Sequence, residues 1–198
     1  NYGGTDNQKR IIYQAADGEE VWIKGSEIIK GWKLYDKTVW KVEIDNSMFN
    51  DFNPYKEIIK GDWLMKTYGR DHHLGEVYIN GKSLYEIDDL SKVLSEDPLA
   101  RAFDLESSKY KWYCEVNDKV TIIYANFYGF NPNNEEVEIN VRPSVFFPKK
   151  TGINFITVRG FKLAHAATQW APPTANQEGL IGPNWSKGWI IENNLITD

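Results

Sequence analysis

Three short runs in the last third of the chain share one apolar spacing, and that spacing constrains the fold more than any other feature. Ile139, Val141 and Phe146 set the pattern; Ile156, Val158 and Leu163 repeat it, and so do Trp189, Ile191 and Ile196. The first two copies begin 17 residues apart and the last two 33 apart. Arg142-Pro143, Arg159-Gly160 and Glu192-Asn193 fall at matching places within them. An apolar-x-apolar strand, a bend and a further apolar residue make one coil of a solenoid, which buries its inward side chains only by stacking on its neighbours. Gly160, Asn193 and Asn194 suit the bend, because left-handed backbone is cheap for Gly and tolerable for Asn. The spacing therefore predicts parallel rungs, with the Trp170-Ala171-Pro172-Pro173 run in the loop between the last two. Antiparallel pairing of the same runs, in a β-sandwich, is the competing reading.

Strand signals dominate elsewhere. Residues 9–14 and 20–25 are β-prone and flank Asp17-Gly18, a turn dipeptide. Residues 39–44 alternate apolar and polar with period two, as a half-buried strand does, and residues 76–81 and 119–124 are similar. The one modest helix signal is 89–94, with an acidic start and Pro98 soon after. The stretch 45–112 lacks the repeat and opens on an Asn- and Asp-rich run. The expected plan is all-β: first coils over 1–44, an inserted β-rich domain over 45–112, and coils again over 113–198. Insertions in solenoids map to one face and often build the binding site. They also offer a docking face, so a homo-oligomer fits this plan.

Several strings resemble the right-handed parallel β-helix proteins of glycoside hydrolase family 120. They are residues 153–161 and 165–175, Gly179-Leu180-Ile181-Gly182, and the run 185–194 that begins Trp185-Ser186-Lys187-Gly188. Gly61-Asp62-Trp63, His72-His73-Leu74-Gly75 and Ala125-Asn126-Phe127 add to the likeness. The resemblance implies a right-handed parallel β-helix interrupted by an insertion, and a retaining β-xylosidase that removes xylose from xylo-oligosaccharides. It also implies that the catalytic carboxylate pair lies on later coils, so no catalytic residue is carried over to this chain. The sequence stops just after a strand without a polar capping coil. The expectation is a solenoid completed by more of the same protein or by a second chain.

Composition narrows the alternatives. A net charge of −5 and a pI near 5.3 disfavour a nucleic-acid partner, which needs a basic face to release counterions. No run approaches the roughly 20 apolar residues that span a bilayer. Cys114 is the only cysteine, so there is no disulfide framework; a buried, inert thiol is expected, which fits a cytosolic protein and is compatible with a secreted one. No phosphate loop, Gly-x-Ser-x-Gly elbow or His-Glu-x-x-His is present. No cofactor is implied, although the Asp and Asn residues around 45–53 leave calcium open.

Eight Trp, eleven Tyr and nine Phe supply flat apolar faces of the kind that stack on sugar rings, or else fill a β-rich core. Five residues are the candidate substrate contacts. Trp63 and Trp170 would stack, the latter from a loop stiffened by Pro172-Pro173. Trp185 would line the same groove. His73 would donate to a sugar hydroxyl, with Asp71 or Arg70 orienting it, or else the loop is held by its own hydrogen bonds. Adjacent histidines on a strand point to opposite faces, which argues against a zinc site at His72-His73. Glu178 and Glu192 are the nearest carboxylates, and strand alternation puts Glu192 outward. Two rivals to a glycosidase are a polysaccharide lyase on the same fold and a non-catalytic carbohydrate-binding segment.

Overall fold

The computed structural model describes residues 2–61, 69–167 and 178–197, and strands make up nearly all of its regular structure. The chain opens with β1 (Ile11–Gln14) and β2 (Val21–Lys24). Then follow β3 (Ser26–Ile28), β4 (Lys33–Asp36), β5 (Val39–Asp45), β6 (Val77–Ile79), β7 (Lys82–Ser83) and β8 (Tyr85–Glu86). The short helix α1 (Leu90–Leu94) precedes β9 (Lys111–Val116), β10 (Val120–Asn126) and β11 (Val137–Asn140). Last come β12 (Ile156–Arg159), β13 (Phe161–Ala164), β14 (Ile190–Glu192) and β15 (Leu195–Thr197). Two compact units result: residues 1–25 with 142–198, and residues 26–141.

The first unit carries two three-stranded parallel sheets, ordered β1-β12-β14 and β15-β13-β2. Their register is the 33-residue repeat, with Val158 beside Ile191 and Leu163 beside Ile196. Tyr13 and Ile23 extend those two columns on the other side. Val158 and Leu163, in the middle of their columns, are wholly buried, while Ile191 and Ile196 on the last strands are about half exposed. Each middle-strand aliphatic therefore contributes roughly 1 kcal/mol more through burial than its half-exposed outer neighbour. The bends fall where Gly and Asn place them: Gly160 has φ +78 and Asn193 φ +54. Asn194 then reaches back one pass, accepting from the Phe161 N–H at 3.0 Å and donating to the Val158 carbonyl at 2.9 Å. On the outward side Gln14, Arg159 and Glu192 form a polar column held by side-chain contacts.

The first copy of the apolar repeat behaves differently. Ile139 lies in β11, which pairs antiparallel with β3 and β6 in the second unit, so this copy is not a rung. Period-two alternation is the same for either pairing direction, which is why spacing alone did not separate it. Phe146 does return to the first unit, bridging Ile181 in parallel and packing edge-on against Tyr13 and Trp189.

The second unit is wider than the expected 45–112. β5 and β10 pair along their whole lengths, and β10 pairs with β9, so a cut at 45 or 113 divides a sheet. Its sheets, β4-β5-β10-β9-β8 and β3-β11-β6-β7, share one core. Val42, Ile44, Trp112 and Ile123 face Val77, Ile79, Val137 and Ile139 across it, a sandwich packing. The second face of the larger sheet is covered by α1 through Val93, Val39 and Tyr124. Asp89 caps α1 by accepting from the Ser91 N–H, as the sequence leads one to expect. Buried Lys111 donates to the carbonyls of Ser95 and Asp97 just beyond its end. Asp45, Asn46 and Asn53 spend their side chains on hydrogen bonds, to Ser47, Asn117, Tyr55 and Thr121. Among the described residues no group of three or more His, Cys, Asp or Glu is placed to hold a metal.

Candidate functional site

Of the five candidate contacts, Trp63 and Trp170 lie outside the described residues. Asp71 and His73 belong to the second unit and Trp185 to the first.

The segment 70–73 runs antiparallel to residues 57–59: Ile58 bridges His73, and the Ile59 N–H donates to the His72 carbonyl at 2.7 Å. It is not a regular strand, so the two imidazoles are not forced to opposite faces. Both instead converge on Glu86, the last residue of β8. His73 Nδ1 lies 2.7 Å from Glu86 Oε1, and His72 Nδ1 3.3 Å from Oε2. Arg70 closes the cluster, with Nη1 3.4 Å from Oε2 and Nη2 donating to the Glu86 carbonyl at 2.6 Å. The His73 N–H also donates to Oε1 at 3.3 Å. The Glu86 side chain is only 11% exposed. Taking a carboxylate that far from water is tolerable only with such partners.

The chemistry follows from what each atom can do. A carboxylate only accepts, so the Nδ1 of His73 carries the hydrogen, and in the neutral imidazole Nε2 is then an acceptor rather than the expected donor. An imidazole fixed in this tautomer is suited to receive a hydrogen bond from a ligand hydroxyl. Glu86 itself has its acceptor positions filled and is an orienting group rather than a free nucleophile. In His72 the Nε2 is buried and has no hydrogen-bond partner among the described residues, a departure from the near-universal pairing of buried polar atoms. Asp71 is exposed and lines a cavity of about 450 Å³ with Lys56, Glu57, Ile58 and Lys60. The orienting group is therefore Glu86, which the sequence reading missed. Glu86 is 13 residues away on β8, and no local motif marks it.

In the first unit Trp185 is 78% exposed. It sits in a tight reversal in which Asn184 and Trp185 have φ +46 and +55, and the Ser186 N–H donates to the Pro183 carbonyl at 3.1 Å. Positive φ at both central positions is the signature of a type I′ turn, which favours Asn followed by Gly. Asn184 fits and is anchored through Nδ2 to the Pro148 carbonyl at 2.6 Å. Trp185 does not fit: a bulky residue with positive φ is a marked outlier, displayed to solvent at a cost. Trp189, by contrast, is a structural ring whose Nε1 donates to the Ile153 carbonyl at 2.6 Å. Glu178 and Glu192 are both exposed, and Glu192 pairs with Arg159 at 3.6 Å. His165 is buried, with φ +59.

Comparison with known proteins places these features in a family. Residues 29–139 match the profile described as glycoside hydrolase 120, insertion domain. That span nearly coincides with the second compact unit. A solved structure described as the complex structure of XylC with xylose superposes with a TM-score of 0.94 at 51% identity. It covers 99% of this chain, and this chain spans 32% of that one. No curated protein matches.

Proposed function

From the premise that the chain belongs to glycoside hydrolase family 120 through its insertion domain, we propose that it is part of a retaining β-xylosidase-like hydrolase acting on xylo-oligosaccharides. The observation that carries the proposal is the 51% identity over 99% of this chain to a structure described as a complex with xylose. In this reading, residues 1–25 and 142–197 are the early coils of a right-handed parallel β-helix, and residues 26–141 are the insertion. Support comes from the parallel 33-residue register and from the apolar side chains left open on β14 and β15, which further coils would cover. Chemistry is double displacement by two carboxyl groups about 5–5.5 Å apart, contributed from beyond residue 198. His73, fixed by Glu86, and the strained Trp185 are assigned as sugar contacts, the first bonding a hydroxyl and the second stacking. Asp71, Trp63 and Trp170 complete the assignment.

The test is the stereochemistry of the product. Proton NMR of 4-nitrophenyl β-xyloside digested by the full-length protein should show β-xylose first, with the α anomer arising only by slow mutarotation. Initial release of the α anomer, or of an unsaturated uronate from another glycan with no cleavage of the xyloside, contradicts the assignment.

A further inference from the structure

The insertion unit holds a second cleft that neither the His73–Glu86 cluster nor the coil residues touch. It is a cavity of about 370 Å³ lined by Tyr110, Tyr128 and Phe130, with Lys82, Glu106 and Lys109 at its polar side. Tyr128 and Phe130 are 39% and 44% exposed and line the same cleft. Tyr110 and Tyr128 meet at 5.9 Å between centroids, tilted by 58°. The Lys109 ammonium stands 5.2 Å over the Tyr128 ring and 2.7 Å from the Glu106 carboxylate.

The backbone gives an independent sign that the aromatic display is not incidental. Tyr128 has φ +47 and is followed by Gly129 at φ +97. Left-handed backbone is unfavourable for a bulky side chain and free for glycine. The conformation is held from below: the Tyr128 N–H donates to the buried Asn126 side chain at 2.9 Å, and Asn126 donates onward to the Val93 carbonyl at 3.0 Å. A strained residue that persists where glycine would relax it, and that turns a large ring toward a cleft, is a candidate ligand contact.

We propose that this cleft is a separate binding site for a short neutral saccharide, with Tyr128 and Phe130 as stacking platforms and the Lys109–Glu106 pair as hydrogen-bonding groups. Flat apolar faces beside a donor and an acceptor match a sugar ring, whose C–H face is apolar and whose rim is hydroxylated. The close Lys109–Glu106 pair leaves little net charge to attract an ion, and the acidic chain disfavours phosphate-bearing ligands. The choice of xylose units as the sugar rests on the proposed function; the cleft itself does not.

The experiment is calorimetric titration of the full-length protein with thio-linked xylotetraose, which resists hydrolysis, alongside hydrolysis of 4-nitrophenyl β-xyloside. The comparison is between wild type, Y128F, and Y128G combined with F130A; glycine suits φ +47, and melting temperature checks that the variant folds. Wild type and Y128F should bind two oligosaccharides per chain. The double variant should bind one, with the other site at least ten-fold weakened, while nitrophenyl xyloside turnover stays within two-fold. Equal stoichiometry and affinity in wild type and double variant, with turnover intact, overturns the cleft and leaves the hydrolase reading standing. Loss of a site in the variant of a protein that never cleaves the xyloside supports the cleft and overturns that reading instead.

Discussion

Single residues in this protein carry unusual backbone strain on behalf of exposed rings. Tyr128 and Trp185 have φ of +47 and +55, a conformation that costs a bulky residue about 1–2 kcal/mol. Replacing Trp185 with Gly makes the Asn-Gly pair that the turn prefers. W185G should raise stability by about 0.5–1 kcal/mol, measured by urea unfolding, while weakening xylo-oligosaccharide binding to the full-length protein. Unchanged binding would remove Trp185 from the sugar contacts. Cys114 shows the opposite case, a residue wholly legible in the sequence. The lone cysteine is free and buried in the second unit, its thiol donating weakly to the Tyr55 carbonyl at 3.7 Å. Burial, with Glu86 and Glu115 adding charge nearby, pushes the thiol from its ordinary 9.0 up to about 12. Because the folded value is the higher one, this group's contribution to stability is complete below pH 9 and is lost as pH rises toward 12. C114A should lack that alkaline loss, so the stability difference between wild type and variant narrows from pH 9 upward. A constant difference would contradict the assignment. The strain at Trp185 could not be read in advance, since φ depends on the closed turn and not on the residue type.

At the scale of elements, what alternation and turn residues control was legible, and what pairing partners control was not. The strands near 11–14, 21–24, 39–45 and 120–126, the cap at Asp89 and the bends at Gly160 and Asn193 all follow from local pattern. The direction in which β11 pairs does not, and neither does the meeting of His72, His73 and Arg70 on β8. That cluster predicts a sizeable effect: E86A leaves an arginine and two imidazoles without their shared acceptor. It should lower stability by about 2–4 kcal/mol in urea unfolding; a loss under 0.5 kcal/mol would mean the cluster is held by other contacts. Gly25 marks the end of β2, where the chain leaves the first unit. A Cβ there would lie 2.6 Å from the His165 carbonyl oxygen and 2.8 Å from Ala166 Cα, both backbone atoms that cannot swing away. G25A should therefore destabilise the protein by about 2 kcal/mol or more, read as a lowered urea midpoint, and wild-type stability in G25A would contradict the close approach.

Across the whole molecule, the topology explains how residues 26–141 interrupt the first unit without destroying it. Gly25 donates to the Ala164 carbonyl at 2.9 Å, and Arg142 donates to the Gly25 carbonyl at 3.1 Å, so the exit and the return are neighbours. Within the insertion β3 and β11 pair with each other, and Ser26 donates to buried Glu138 at 2.8 Å. Ends that meet are what an inserted domain needs if its host is to fold around it. The sequence reading sets 45–112 apart, whereas the second compact unit runs over 26–141, because its outer strands alternate just as those of the first unit do. In the proposed function, the chain contributes coils and an insertion to a family 120 hydrolase whose reacting carboxylates lie past residue 198. The most direct measurement is 4-nitrophenyl β-xyloside hydrolysis by the 198-residue chain and by the full-length protein, side by side at equal molarity. Turnover by the full-length protein with none above background for the 198-residue chain is the predicted result; turnover by the shorter chain alone would contradict it.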